Sequence, residues 1–337
     1  MVFACRDQES PHSGDDNSAG SGRPCGERSS ADARGGELPM SKEQLSQLDG
    51  ILRQGRLDTT AGVASVRAAF DAFVSQVPVP PDVLQKPIEI GGVGGIEVTI
   101  AGHETDNVML YFHSGVYVIG SAVATVPLVG DIARRAGVRA VTLDYRLAPE
   151  HPYPAAVDDA RAAYEGLLGQ GVDPGRIVLA GESAGGGLAV AVLLAAREAG
   201  LPMPSCLYLL SPYADLTLSG ESLVARESLD PILTPEGLRV RAPEYVGGAD
   251  AADPLISPIF GDLSGLPPML IQVGSHEILL SDALRLAARA ATSDVAVTLD
   301  VTPGAPHVFQ GFGGVLDEAA AALGRASGFM RTRLGSR

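Results

Sequence analysis

The chain has 337 residues, enough for one α/β domain with a large buried core, and its formal net charge of −15 leaves no basic stripe for nucleic acid or another polyanionic partner. Its longest apolar run, residues 188–196, is far short of the roughly 18 residues a membrane span needs, and the opening Met1-Val2-Phe3-Ala4-Cys5-Arg6 is too short for a secretory signal. A cytoplasmic protein with no membrane partner is therefore expected.

Residues 1–39 are Ser, Gly, Asp, Glu and Arg with almost no large apolar side chain, so a disordered tail is expected ahead of a domain running over 40–337. Cys5, Cys25 and Cys206 are odd in number and lack metal-ligand spacing, which predicts free thiols and no metal role. Ser41 can cap a helix, with Gln44 closing a capping box. From 41 to about 77, Leu45, Leu48, Ile51 and Leu52, then Val63, Val66, Ala69, Phe70 and Phe73, recur at helical spacing. These helices either cap a functional cleft or simply pack on the core.

Strand signals follow at 87–90, 96–100 and 108–112. Beyond them, strands at 140–143, 177–180, 206–210, 269–273 and 295–301 alternate with helices at 155–168, 184–199, 281–291 and 316–334. The segment 211–266 has no assigned element and is read as further cap material. Alternation of this kind predicts the α/β class, with a mostly parallel sheet covered by helices on both faces. In such sheets the functional site lies at the carboxyl ends of the strands.

One such end carries Gly181-Glu182-Ser183-Ala184-Gly185. The pattern reads as strand, tight turn and helix, with Ser183 at the apex as a candidate nucleophile. Gly181 and Gly185 allow strand and helix to pack closely around the turn. The Ala184 amide, first in the helix, has no intrahelical partner and points where an oxyanion would form. Another strand end carries His113-Ser114-Gly115-Val116, where glycine lets backbone amides approach a substrate carbonyl.

Together with the stretch from Asp144 through Tyr145-Arg146-Leu147-Ala148-Pro149-Glu150-His151-Pro152 to Ala156, these motifs resemble the hormone-sensitive-lipase family of α/β-hydrolases, also called bacterial family IV esterases. The resemblance covers roughly residues 86–313 and implies the α/β-hydrolase fold with a helical cap at about 41–77 and 211–266. It implies an oxyanion hole of Gly115, Val116 and Ala184, with His113 and Ser114 supporting the loop and His151 holding another by hydrogen bonds. The family usually has His-Gly-Gly-Gly here, so Ser114 and Val116 are departures. The Val116 isopropyl group would crowd the space beside the nucleophile and restrict the acyl group to something like acetyl.

His307, in a loop between the last strand and the last helix, matches the family's catalytic histidine and is also the base by elimination among six histidines. The triad acid belongs in Gly274-Ser275-His276-Glu277, where many relatives have an aspartate followed by Pro-Leu. Glu277 is the expected acid, with Asp282 as the alternative. Glu182 has no assigned role.

The implied activity is a carboxylic ester hydrolase working through an acyl-enzyme on short acyl groups, with no cofactor. An N-acetyl (amide) hydrolase is the alternative, because the chain is also similar to acetyl-hydrolases that uncap bialaphos-type precursors. A third reading is a non-catalytic ligand-binding module such as the gibberellin receptors, which are similar to the family but lack the histidine. Relatives often dimerise, so a homodimer is one assembly the resemblance implies.

Overall fold

Gly91 and Gly92, with φ of 61° and 80°, close a two-residue turn that pairs Ile90 with Val93, the left-handed geometry that suits a tight hairpin. The turn joins β1 (Val83–Ile90) to β2 (Val93–Ile100) in the computed structural model, which describes residues 42–334. A Cβ on Gly91 would run into the backbone of Ala162, so the turn also docks against α4 (Ala155–Gly169).

The other strands are β3 (Val108–Phe112), β4 (Arg139–Leu143), β5 (Ile177–Glu182), β6 (Cys206–Leu210), β7 (Met269–Gly274) and β8 (Val297–Thr302). They form one eight-stranded sheet in the order β1-β2-β4-β3-β5-β6-β7-β8. β1, β2 and β4 pair antiparallel, and every pair from β4–β3 to β7–β8 is parallel. β3, β5, β6 and β7 are buried along their whole length, as strands covered on both faces must be.

Alternate strand residues feed two apolar layers. Met109, Tyr111, Val178, Ala180 and Tyr208 pack under α3 (Val126–Ala136) and α9 (Asp317–Leu334), while Leu110, Phe112, Leu179 and Leu209 pack under α4, α5 (Ala184–Glu198) and α8 (Leu280–Thr292). The mostly parallel α/β sheet expected from the alternation is present.

Three helices were not legible. α3 contains Pro127 and Gly130, which read as loop punctuation. The proline sits in the first turn, where its missing N–H costs nothing, and Gly130 lies so close to Val83 that a Cβ would come within 2.8 Å of its side chain. α6 (Ser222–Ala225) is a single turn. α7 (Pro235–Val246) has a proline at its start, another, Pro243, inside it and little apolar periodicity, and Thr234 caps it by accepting the Gly237 amide. β1 begins at Val83, not 87. Pro87 is tolerated because β1 is an edge strand, whose outer side owes no hydrogen bond.

Ahead of the sheet, α1 (Lys42–Gln54) buries Leu48 and Leu52 against Ala305, Phe309 and Leu316, and α2 (Val63–Val74) buries Val66 in the main core. The tail expected over 1–39, with Cys5 and Cys25, and the cap residue Ser41 lie outside the described residues. Gln44 accepts the backbone amide of Asp317. Among the described residues no helix is long and apolar enough to cross a membrane.

Candidate active site

The strand register brings five strand ends together. Phe112 pairs with Gly181, Glu182 with Leu210, Leu210 with Gln272, and Gly274 with Thr302. The segments carrying His113, Ser183, Ser211, Glu277 and His307 therefore leave one edge of the sheet side by side.

Ser183 sits between β5 and α5 at φ 54°, ψ −119°, a backbone state that costs on the order of 1–3 kcal/mol for a non-glycine residue. The strain is held in place on both sides. The Ser183 amide donates to the Leu210 carbonyl at 2.9 Å, and the Ser183 carbonyl accepts the amides of Gly186 and Tyr213, each at 2.9 Å. The glycines allow the close approach. A Cβ on Gly181 would strike the Gly185 carbonyl, and one on Gly185 would strike the carbonyl of Phe112.

The loop after β3 is strained as well. Gly115 has φ 115°, Val116 50° and Tyr117 63°, and a Cβ on Gly115 would collide with the Ile119 carbonyl. Among the described residues, the amides of Gly115 and Val116 donate no backbone hydrogen bond, and the Ala184 amide opens α5 without an intrahelical acceptor. His113 and Ser114 hold this loop. His113 Nδ1 donates to the Ser114 carbonyl at 2.6 Å, its ring stacks on Tyr145 at 4.1 Å, and its carbonyl accepts the Tyr145 hydroxyl. Burial pushes the His113 pKa down to about 4, so the ring is neutral near pH 7. The Ser114 amide donates to Glu182, which gives that carboxylate a place in the loop support. His151 is exposed, and among the described residues its backbone amide bonds the Leu147 carbonyl while its side chain forms no hydrogen bond. The loop-holding role expected of it is not seen, because its side chain faces water.

His307 and Glu277 meet in the interior. His307 Nδ1 lies 2.6 Å from Glu277 Oε2, with the carboxylate fully buried and the imidazole 5% exposed. The other oxygen, Glu277 Oε1, accepts the Ser211 hydroxyl at 2.9 Å and the Gly274 amide at 2.6 Å. Burial raises the Glu277 pKa, and the attraction of His307 offsets part of the rise. For His307, burial works against the charged ring, but Glu277 foremost, then Asp230 and Glu182, outweigh it and the pKa is raised. Glu182 immediately precedes Ser183, so the imidazole lies within electrostatic reach of the elbow. Among the described residues, the Ser183 hydroxyl and His307 are not joined by a hydrogen bond.

Asp282 is elsewhere. Its Oδ2 accepts the amides of Ala214 and Asp215, each at 2.9 Å, and burial pushes its pKa up to about 8. It tethers the segment after β6 to α8 and makes no contact with His307.

A profile for the α/β-hydrolase fold matches residues 109–311, which includes every one of these segments. The chain belongs to the α/β-hydrolase family. Within it, this hydrolase is 45% identical over 227 residues to an acetyl-hydrolase of Streptomyces hygroscopicus, covering 67% of this chain and 76% of that one. It is 38% identical over 260 residues to an esterase of Acinetobacter venetianus, covering 77% and 86%. The crystal structure of an esterase from the bacterial hormone-sensitive lipase family superposes with a TM-score of 0.85 at 39% identity, covering 88% of this chain and 99% of the other. The resemblance read from the motifs and the fold it implied both hold for this α/β-hydrolase.

Ser211 escaped the sequence reading. It is fully buried at φ 46°, its hydroxyl bonds Glu277, and it accepts the amide of Val308, the residue after His307. Its position directly after β6, in a Ser-Pro pair at the same sheet edge as Ser183, was the available signal. Among the described residues, no three His, Cys, Asp or Glu side chains are grouped as metal ligands.

Proposed function

We propose that this esterase of the α/β-hydrolase family cleaves carboxylic esters with small, acetyl-like acyl groups, with Ser183 as nucleophile, His307 as general base and Glu277 as the acid that orients it. The observation that carries the reading is the buried 2.6 Å contact between His307 Nδ1 and Glu277 Oε2. A carboxylate at Nδ1 keeps the proton on that nitrogen and leaves Nε2 free to take the Ser183 proton. The Ser183 alkoxide then attacks the ester carbonyl, and the oxyanion that forms is met by the amides of Gly115, Val116 and Ala184. His307 returns the proton to the leaving alcohol, and a second cycle with water releases the acid. No cofactor enters these steps.

The small-acyl preference is supported by Val116, a β-branched residue held at positive φ in a position where relatives usually carry glycine. Similarity to an acetyl-hydrolase supports a second reading, removal of an N-acetyl group from a small molecule, which demands that His307 protonate a poor amine leaving group. The partner is a small molecule, with no nucleic acid or membrane, and Cys206, a buried free thiol, suits the cytoplasmic location we assign. A homodimer would use the free edge of β8, where Leu299 and Val301 are exposed, and the mass in solution tests it. The function is tested with a panel of acetylated esters and amides against the native chain and Ser183→Ala. Turnover of acetyl esters that vanishes in the variant is expected. Equal turnover in both overturns the reading.

A further inference from the structure

Four consecutive carbonyl oxygens, those of residues 228–231, are bonded by two arginines, Arg53 in the last turn of α1 and Arg56 two residues past its end. Arg53 donates to Ser228 at 3.2 Å and Leu229 at 3.0 Å, and Arg56 donates to Asp230 and, at 3.0 Å, to Pro231. The loop so held also carries a buried carboxylate. Asp230 is 0% exposed, and its two oxygens are divided. Oδ1 accepts the amides of Ile232 and Leu233, each at 2.8 Å, and Oδ2 accepts the amide of Ile278 at 2.9 Å.

Ile278 follows Glu277 directly, so Asp230 holds the peptide that joins them. The carbonyl of Ile278 is held from the same stretch, accepting the Ser222 hydroxyl at 2.6 Å. The apolar face of the same helix supports the other partner: Leu48 and Leu52 pack with Ala305 and Phe309, on either side of His307, and with Ile232 of the strapped loop.

We propose that α1 is a positioning element for the Glu277–His307 pair, with Arg53 and Arg56 fixing the 228–231 loop and Asp230 fixing the backbone that aims the Glu277 carboxylate. The inference rests on the triad reading above. It assigns α1 a task other than covering the substrate. A helix that only lines the cleft changes KM when its contacts are cut, whereas a helix that sets the acid changes kcat.

Two variants test it. Asp230→Asn keeps the shape but turns an N–H toward one set of amides, and Arg53→Ala/Arg56→Ala cuts the strap at one exposed and one half-buried position, neither in the apolar core. In each, kcat on an acetyl ester falls by roughly tenfold or more while KM stays within about twofold, as expected for sub-ångström misplacement of a catalytic group. The low-field proton resonance of the His307 Nδ1–H bond shifts or broadens, and Arg53→Ala/Arg56→Lys, which keeps an ammonium donor toward the loop, recovers part of the loss of the double alanine variant. Unchanged kcat with an unchanged resonance overturns the proposal, as does a rise in KM with kcat intact. Glu277→Gln is measured alongside. If it loses activity while the strap variants do not, only the strap fails; if it keeps wild-type kcat, the triad reading has failed first.

Discussion

Ser211 bonds Glu277 from the side opposite His307, donating to Oε1 at 2.9 Å while His307 occupies Oε2. Its hydroxyl also accepts the Val308 amide at 3.1 Å, so a single oxygen spans Glu277 and the backbone beside His307. Because Ser211 lies at φ 46°, Ser211→Gly removes the hydroxyl without adding backbone strain, whereas Ser211→Ala keeps the strain. Both variants are expected to lower kcat by roughly tenfold, the value of one charge-assisted hydrogen bond of about 1.5 kcal/mol, with KM little changed. Steady-state kinetics on an acetyl ester measures it, and full activity in Ser211→Gly contradicts it.

The two carboxylates considered for the acid are separated by one pair of substitutions. Both amides that Asp282 holds bond the same oxygen, so the carbonyl of an asparagine can accept both, and Asp282→Asn is expected to keep kcat within a few-fold. Glu277→Gln cannot keep His307 in the working tautomer, and kcat is expected to fall by roughly 10³–10⁴. The reverse ranking would move the acid to Asp282.

The pH dependence follows from the raised pKa of His307. The ring acts as base only when neutral, so kcat/KM falls as pH drops through its pKa, and the acid limb is expected above the 6.5 of an ordinary histidine. Glu277 is the foremost group raising it, with Asp230 and Glu182 adding to the effect, while burial acts the other way. Removing the charge with Glu277→Gln therefore moves the limb to lower pH in whatever activity remains. A limb that stays in place shows that the titrating group is not paired with Glu277.

For acyl selectivity, the native chain is expected to prefer an acetyl over a hexanoyl ester by about tenfold or more, within the range that a few methylenes command in a tight pocket. Val116→Gly relieves a β-branched residue at φ 50° and opens the space beside the nucleophile, so the preference narrows. Equal rates on both esters in the native chain contradict the restriction.

What was legible in the sequence was local. Short apolar runs marked β3, β5 and β7, the last two ending on glycine, and the Gly181/Gly185 pair marked the tight turn, because close packing of backbone on backbone permits little else there. α3 and α7 were hidden by prolines and a glycine that the helices accommodate in ways only their neighbours reveal. Glu277 is read from resemblance, and His307 from resemblance and elimination among six histidines, as the contact between them spans 30 positions in the chain. Ser211 offered only its place in a Ser-Pro pair after β6, and Asp230 carried no motif. Their roles arise from hydrogen bonds made across 66 and 48 positions, which no local pattern records. Glu182 stands next to Ser183 with no motif to assign it, and its bond from the Ser114 amide arises across 68 positions.

The central claim is that Ser183 is an activated nucleophile served by His307. It is tested most directly by titrating the native chain with a fluorophosphonate and locating the adduct by peptide mass spectrometry. One equivalent on Ser183 is predicted, with labelling nearly abolished in His307→Ala. Absence of label on Ser183, or labelling at the native rate when His307 is replaced, would contradict the account.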